Sequence, residues 1–398
     1  MFEIVHKDQN TSARLGRLTT PHGIVETPSY VIVGTHGEVR CLEPEDIPRT
    51  KTQLIISNTY HLWRSFGDEE LSSYEGLHAD MKWNGPIMTD SGGFQVFSHG
   101  ALRELGSGKI YREDTNPYGS GESVVRVTDS GVYFEEDGEE LYLDAELSMR
   151  IQEQLGADII FAFDEPSSPL HDYEYTKLAM ARTHAWARRS LEAKTSDQKI
   201  YGIVQGGKFE DLRKMSAEFI GAMSFDGFGV GGSFGSSYGG TAESILRELK
   251  WTVPFLPEHK PRHLLGMGKV HDVFAAVEAG IDTFDCVIPT REARHGRLWT
   301  AEGPLNILRG AHEKSGANVE PDCDCPVCGI DEDEHTTRAE LYRMFKEKNP
   351  QAGRLATMHN VYFFNNLLEQ IRGSMRENGF GAFKAKYLER FERGEKEE

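Results

Sequence analysis

The chain has 398 residues, 38% of them hydrophobic, and a formal net charge of -19, material for one large globular domain with an appendage or for two medium domains. So acidic a balance excludes a nonspecific polyanion binder, because counterion release needs clustered Lys and Arg, and any nucleic-acid site must be a local basic patch. The opening MFEIVHKDQNTSARLG has no apolar run behind a basic leader, and no stretch reaches the roughly 18 apolar residues that span a bilayer; a cytoplasmic protein with no membrane association is expected.

Taken in chain order, eight short apolar, β-branched runs read as strands: SYVIVGT from Ser29, LIISNTY from Leu54, GPIMTDSGG from Gly85, DIIFAFDE from Asp158, IYGIVQGG from Ile200, DGFGVGG from Asp226, HLLGMG from His263 and IDTFDCVIPT from Ile281. Amphipathic segments separate several of them. Asp144 is placed to cap a helix carrying Leu147, Ile151 and Leu155 that Gly156 stops, and Tyr173 to Ala193, Phe209 to Met223, Thr241 to Trp251 and Val273 to Ala279 continue the alternation. Strand and helix alternating eight times predict an α/β fold, a closed (β/α)8 TIM barrel.

A barrel of this kind carries its chemistry on loops at the C-terminal ends of the strands. Those ends hold Asn58, Asp90, Asp164, Gln205, Gly231 with Gly232, Gly268 and Asp285, three carboxylates and two carboxamides expected to converge on one mouth. Singly, each has a plain structural reading: Asp90 begins a turn, Asp164 caps the next segment, Asn58 and Gln205 satisfy loop backbone. Their shared position at strand ends favours a site. GFGVGG, Gly227 to Gly232, matches a dinucleotide fingerprint by letter, but no helix opens at its last glycine; glycines there suit close approach of backbone amides to a flat ligand.

Five cysteines in so long a chain do not make a disulfide framework. Cys323, Cys325 and Cys328 are clustered, and His359 on the apolar segment MHNVYFFNNLLEQI offers a fourth ligand, with His335 in DEDEHTT as a rival nearer in sequence. Cys3His with no open position is a closed structural zinc site, one Zn2+ per chain, stapling the C-terminal appendage.

NTYHL at 58 to 62, MTDSGGFQVFS at 88 to 98, FDE at 163 to 165, GIVQGG at 202 to 207, GMGK at 266 to 269 and FDCVIPTREARHG at 284 to 296 together resemble the tRNA-guanine transglycosylases, in order, from about Phe2 to beyond Arg372. The bacterial-type branch is most similar. That family's fold is a (β/α)8 barrel with a zinc subdomain, which implies a catalytic barrel with an N-terminal β extension over residues 1–310, and a zinc-binding subdomain with C-terminal helices completing the barrel over 311–398.

The resemblance implies a double displacement at C1′ of a nucleotide in the tRNA anticodon loop, at the wobble position, replacing guanine by queuine or a 7-deazaguanine precursor. Asp285 matches the nucleophile, a role suited to a carboxylate facing an oxocarbenium-like transition state, and Asp90 matches the acid/base. Asn58, Ser91, Gly92, Gly93, Asp164, Gln205, Gly231 and Gly232 match the base-binding set, with Phe94 and Leu265 as its apolar sandwich. Thr290, Arg291 and Arg294 match contacts to bases flanking the target, and Gly266, Lys269 and Asp272 the loop that meets the RNA backbone. Members are commonly homodimers, and the same is implied here.

Two departures from the bacterial pattern bear on the substrate. Pro166 stands where many bacterial members have Cys, and Gly235 where valine is usual, which enlarges the base pocket as in eukaryotic members and makes direct use of queuine credible. Lys109 to Glu122 reads as an added loop. The competing readings are an archaeosine-type transglycosylase acting elsewhere on tRNA, a noncatalytic partner subunit, and a DNA-directed base exchanger; the subunit is disfavoured because Asp90, Asp285, Arg291 and Arg294 are all present.

Overall fold

The computed structural model describes residues 1–97, 125–136, 138–169, 171–231, 241–329 and 335–397. Strands in chain order are β1 Phe2–Lys7, β2 Arg14–Thr20, β3 Gly23–Thr27, β4 Ser29–Val33, β5 Ile55–Ser57, β6 Ile87–Thr89, β7 Val125–Val127, β8 Val132–Glu136, β9 Glu139–Leu143, β10 Ile159–Phe161, β11 Lys199–Val204, β12 Gly227–Val230, β13 Arg262–Leu264, β14 Thr283–Asp285, β15 Arg297–Thr300 and β16 Gly303–Asn306. The eight expected strands close into a barrel in the order β10-β11-β12-β13-β14-β4-β5-β6. Each is short and buried along almost its whole length, which is why both faces are apolar and the runs read as continuous instead of alternating.

By its internal contacts the chain forms two compact units. One comprises Met1–Ile56, Met81–Pro86 and Gly266–Glu398, the other Ser57–Asp80 and Ile87–Leu265. In the first, β1, β2 and β3 form an antiparallel sheet tied to the strand-bearing segment by a buried ion pair, Arg14 Nε to Asp282 Oδ1 at 2.9 Å and Nη2 to Oδ2 at 2.6 Å. Charged groups this deeply buried need a bidentate partner. The 27-residue helix Pro350–Arg376 packs along β4 and β15, and its side chains bond backbone at several points: Asn360 to Pro289 and Arg297, Asn365 to Thr50, and Arg372 to Pro28.

In the second unit the Asp144 cap forms as expected, its carboxylate accepting from Leu147 N at 2.8 Å, and Gly156 closes that helix in a left-handed conformation. The Tyr173–Ala193 helix has the expected bounds. The later helices run Glu210–Gly221, Ala242–Thr252 and Val270–Glu278, the last beginning three residues before the expected Val273. Not foreseen was the antiparallel meander β7-β8-β9, which buries Val132, Phe134 and Leu143 and presents Arg126 and Glu140 to solvent. The β15-β16 hairpin was likewise not foreseen. Gly232, Gly235 and the segment 109–122 lie outside the described residues.

Candidate active site

In the unit of Ser57–Asp80 and Ile87–Leu265 the TDSGG turn after β6 is built around the Asp90 carboxylate. Oδ1 accepts from Thr59 N at 2.9 Å and Gly92 N at 3.1 Å; Oδ2 accepts from Asn58 Nδ2 at 2.5 Å and Gln95 Nε2 at 3.2 Å. Gly92 takes a positive φ of 79°, which lets its amide turn back to Asp90. Asn58 Oδ1 in turn accepts from His61 N, so both ends of that amide are fixed at the start of the Thr59–Leu71 helix.

One residue further on, Ser91 Oγ donates to Asp164 Oδ1 at 3.0 Å, and Gln205 Nε2 donates to Asp164 Oδ2 at 2.7 Å. Gly93 lies against the Asp164 carbonyl, 2.7 Å from where a Cβ would stand, and Gly231 lies 2.6 Å by the same measure from Gln205 Nε2; a side chain at either would push the polar groups apart. Burial pushes Asp164 up to about 6, against the lowering effect of its bonds from Gln205 and Ser91. Gln205 Oε1 is buried without a hydrogen-bond partner among the described residues. Phe94 is 57% exposed, and Leu265 is half-buried, its amide bonded to Val230 O.

Behind these groups lies support that the sequence reading missed. Arg213, fully buried on the Glu210–Gly221 helix, donates Nε to Gly207 O at 2.6 Å and Nη1 to Gly231 O at 2.5 Å, with Glu248 as its counter-ion. Ser216 Oγ accepts from Gln205 N at 3.2 Å. Glu165, next to Asp164, is clamped by Arg182 at 2.5 and 2.9 Å and by the Tyr175 hydroxyl at 2.8 Å.

In the other unit, Asp285 ends β14 half-buried, its Oδ1 accepting from Gly266 N at 3.1 Å. Gly266 has φ 72°, a left-handed position that aims its N–H at the carboxylate. Lys269 is exposed; its backbone N–H is held by Asp272 Oδ2 at 3.2 Å, and Asp272 is buried at the start of the Val270–Glu278 helix. Thr290 is buried, its hydroxyl donating to Val287 O. Arg291 is exposed and Arg294 half-buried; burial lowers the Arg294 guanidinium from its ordinary range, and the charges of Arg40 and Arg291 add to that. None of these three arginines forms an ion pair among the described residues.

Cys323, Cys325, Cys328 and His359 come together with their ligand atoms all within 4.8 Å of one another. His359, not His335, completes the set. Its Nδ1 lies 3.5 Å from both Cys325 Sγ and Cys328 Sγ, and its Nε2 is held by Trp299 O at 2.9 Å. The carbonyl only accepts, so Nε2 carries the proton and donates it in that hydrogen bond, which leaves the Nδ1 lone pair toward the sulfurs. A tetrahedral metal with bonds of about 2.3 Å to S and about 2.0 Å to N has an S to N edge of about 3.5 Å, so the cluster could hold a metal ion and its donors suit zinc.

The parallel eight-stranded barrel, with carboxylates at or shortly past the ends of β6, β10 and β14, and a Cys3His cluster near the C-terminus that could hold a metal ion, together define an α/β barrel of the kind that carries enzyme sites at its strand ends. A family model described as queuine tRNA-ribosyltransferase matches residues 8–393. A queuine tRNA-ribosyltransferase of Halothermothrix orenii is 40% identical over 98% of this chain and 97% of its own, and one of Anoxybacillus flavithermus 39% over 98% and 96%. A putative queuine tRNA-ribosyltransferase of Archaeoglobus fulgidus is 41% identical over 94% and 96%. The chain belongs to the queuine tRNA-ribosyltransferase family and is a pentosyltransferase of the tRNA-guanine transglycosylase type. No helix among the described residues is long and apolar enough to cross a membrane.

Proposed function

We propose that this enzyme exchanges guanine at the wobble position of a tRNA anticodon loop for queuine or a 7-deazaguanine precursor, through a covalent ribosyl intermediate on Asp285. The observation that carries the reading is the buried Ser91, Asp164, Gln205 network: the Asp164 carboxylate, and a Gln205 amide oxygen that has no partner among the described residues, offer acceptors to the N–H groups on a purine edge, with Gly231 beside them. An extruded base is read in this way, by hydrogen bonds along its edge.

In the first step an Asp285 oxygen bonds C1′ as the bond from C1′ to the guanine ring nitrogen breaks, and Asp90 delivers the proton that guanine leaves with. In the second, Asp90 takes a proton from the incoming base, whose ring nitrogen displaces Asp285 from the vacated face. Configuration is retained and no outside oxidant or reductant is needed. The Gly266 N–H steadies the carboxylate that attacks. Asn58, Gly92 and Gly93 shape the turn that presents Asp90 and Ser91; Phe94 and Leu265 are assigned to the faces of the base. Arg291, Arg294 and Thr290 are assigned to the flanking nucleotides, Gly266, Lys269 and Asp272 to the RNA backbone. Cys323, Cys325, Cys328 and His359 would hold a structural zinc, which supplies cross-linking and no step of the reaction. The enzyme is proposed to act as a homodimer.

The test is exchange of labelled guanine into tRNA against a DNA of the same loop sequence, followed by competition with queuine and with its aminomethyl and cyano precursors. Incorporation into tRNA alone is expected, with queuine accepted directly and lost selectively in Gly235→Val. Exchange into DNA would overturn the RNA assignment, and refusal of queuine the pocket argument.

A further inference from the structure

The Gly266–Lys269 loop bears the amide that bonds Asp285, and the first question about that bond is what holds the loop in place. A left-handed glycine has no steric reason to stay where it is. The answer in this structure lies on β4. Tyr30, wholly buried, is the register partner of Phe284 on β14, as Val31 is of Asp285. Its ring meets Phe284 edge-on with centroids 5.5 Å apart and Phe364 of the long C-terminal helix at 4.9 Å, so the phenol is fixed on two sides. Its hydroxyl donates to Gly268 O at 3.3 Å.

The contact is close as well as polar. A Cβ built on Gly268 would stand 2.1 Å from the Tyr30 oxygen and 2.6 Å from Cys286 Cβ, so the loop backbone rests directly on the phenol and on the residue that follows Asp285. Burial above all, with the Asp285 and Asp272 carboxylates adding to it, pushes Tyr30 far above its ordinary range; burial likewise pushes the Cys286 thiol up to about 12. Both groups keep their protons, so the hydroxyl stays a donor and neither places a second negative charge beside the carboxylate.

We propose that Tyr30 is a positioning residue for the nucleophile: its hydroxyl anchors the loop at Gly268, and the anchored loop presents the Gly266 N–H that orients Asp285. This rests on the reading of Asp285 as the attacking group. Removing the hydroxyl leaves the buried Gly268 carbonyl without this donor and frees the loop, while the apolar packing of the ring is preserved.

The experiment is single-turnover formation of the covalent tRNA adduct, trapped in denaturing gels, in Tyr30→Phe, Gly268→Ala, the double variant and Asp285→Asn, with melting temperature and KM for tRNA measured beside it. Tyr30→Phe is expected to slow adduct formation by about tenfold, with melting and KM little changed. Gly268→Ala should slow it at least as much, and the double variant no more than Gly268→Ala alone, because both act through one contact. A wild-type rate in Tyr30→Phe, fully additive losses, or a fall in melting temperature that accounts for the lost activity each overturn the inference. Adduct persisting in Asp285→Asn removes the nucleophile reading and this inference together, whereas no adduct there with a normal Tyr30→Phe rate overturns this inference alone.

Discussion

Gln205 Nε2 donates to Asp164 Oδ2 across 2.7 Å, and the other end of the same amide, Oε1, is buried with no hydrogen-bond partner among the described residues. A carboxylate oxygen only accepts, so the amide must turn its NH2 toward Asp164 and its oxygen away. One acceptor is thereby reserved in a place where leaving it unsatisfied costs about 1 to 3 kcal/mol. A ligand with an N–H at that point recovers this cost.

Asp164 should make both base binding and stability depend on pH, in opposite senses. Burial raises its pKa from the ordinary carboxylate range to about 6, so folding favours the protonated form. The stability it contributes is full below about pH 4 and is lost as pH rises through about 6, a cost on the order of 3 kcal/mol at neutral pH. Base binding needs the ionised form and should weaken about tenfold per unit below pH 6. Asp164→Asn is therefore expected to melt no lower than wild type at pH 7.5 while losing guanine exchange; melting curves from pH 4 to 8 together with KM for the base check both signs. A marked drop in melting temperature at pH 7.5 would count against it.

The division of labour between the other two carboxylates gives a second prediction. Asp285→Asn should abolish the covalent adduct and exchange with the fold intact, while Asp90→Asn, keeping an oxygen to accept from Thr59 and Gly92, should retain some adduct and lose most turnover. Denaturing gels of trapped tRNA separate the two variants, and the reverse pattern would exchange their roles.

The barrel strands were legible because strands buried on both faces read as unbroken apolar runs with a polar residue at the end. The meander β7-β8-β9 was missed for the opposite reason. Its alternation of Val132 and Phe134 with Tyr133 and Glu135 marks a half-buried sheet, a period that a search for βα units passes over. Asp90, Asp164 and Gln205 announced themselves by standing at strand ends. Arg213 and Ser216 did not, because they lie on the inward face of an amphipathic helix, where hydropathy expects apolar side chains and where only the Gly207 and Gly231 carbonyls and the Gln205 amide explain them. Choosing His359 over the nearer His335 depended on its apolar setting, and the cluster agrees.

Metal content is the third prediction. Cys325→Ala and His359→Ala should each lose bound zinc and about 3 kcal/mol or more of stability together, because the metal cross-links residues more than 30 apart in sequence. His335→Ala should keep both. Elemental analysis alongside urea denaturation decides, and stoichiometric zinc in the His359 variant would return the fourth ligand to His335.

The fourth concerns the arginines that have no carboxylate partner among the described residues. Arg291→Ala and Arg294→Ala should raise KM for tRNA by roughly tenfold or more, with kcat less affected. If either side chain meets a phosphate, the slope of log affinity against log salt should fall by about 0.7 for that variant; an unchanged slope with relaxed choice of neighbouring nucleotide would mean it reads a base edge instead.

Arg14 and Asp282, which close on each other in a buried pair, are 268 positions apart along the chain. At ribosomal rates of about 5 to 20 residues per second, Arg14 waits roughly 15 to 50 s for its partner to be made. Over that interval the buried pair cannot form, while the stretch from Ile87 to Leu265 of the other unit is synthesised without interruption and can begin to fold. Slowed translation or a weakened Arg14 would therefore harm the yield of native protein before it harmed the activity of any molecule that had finished folding.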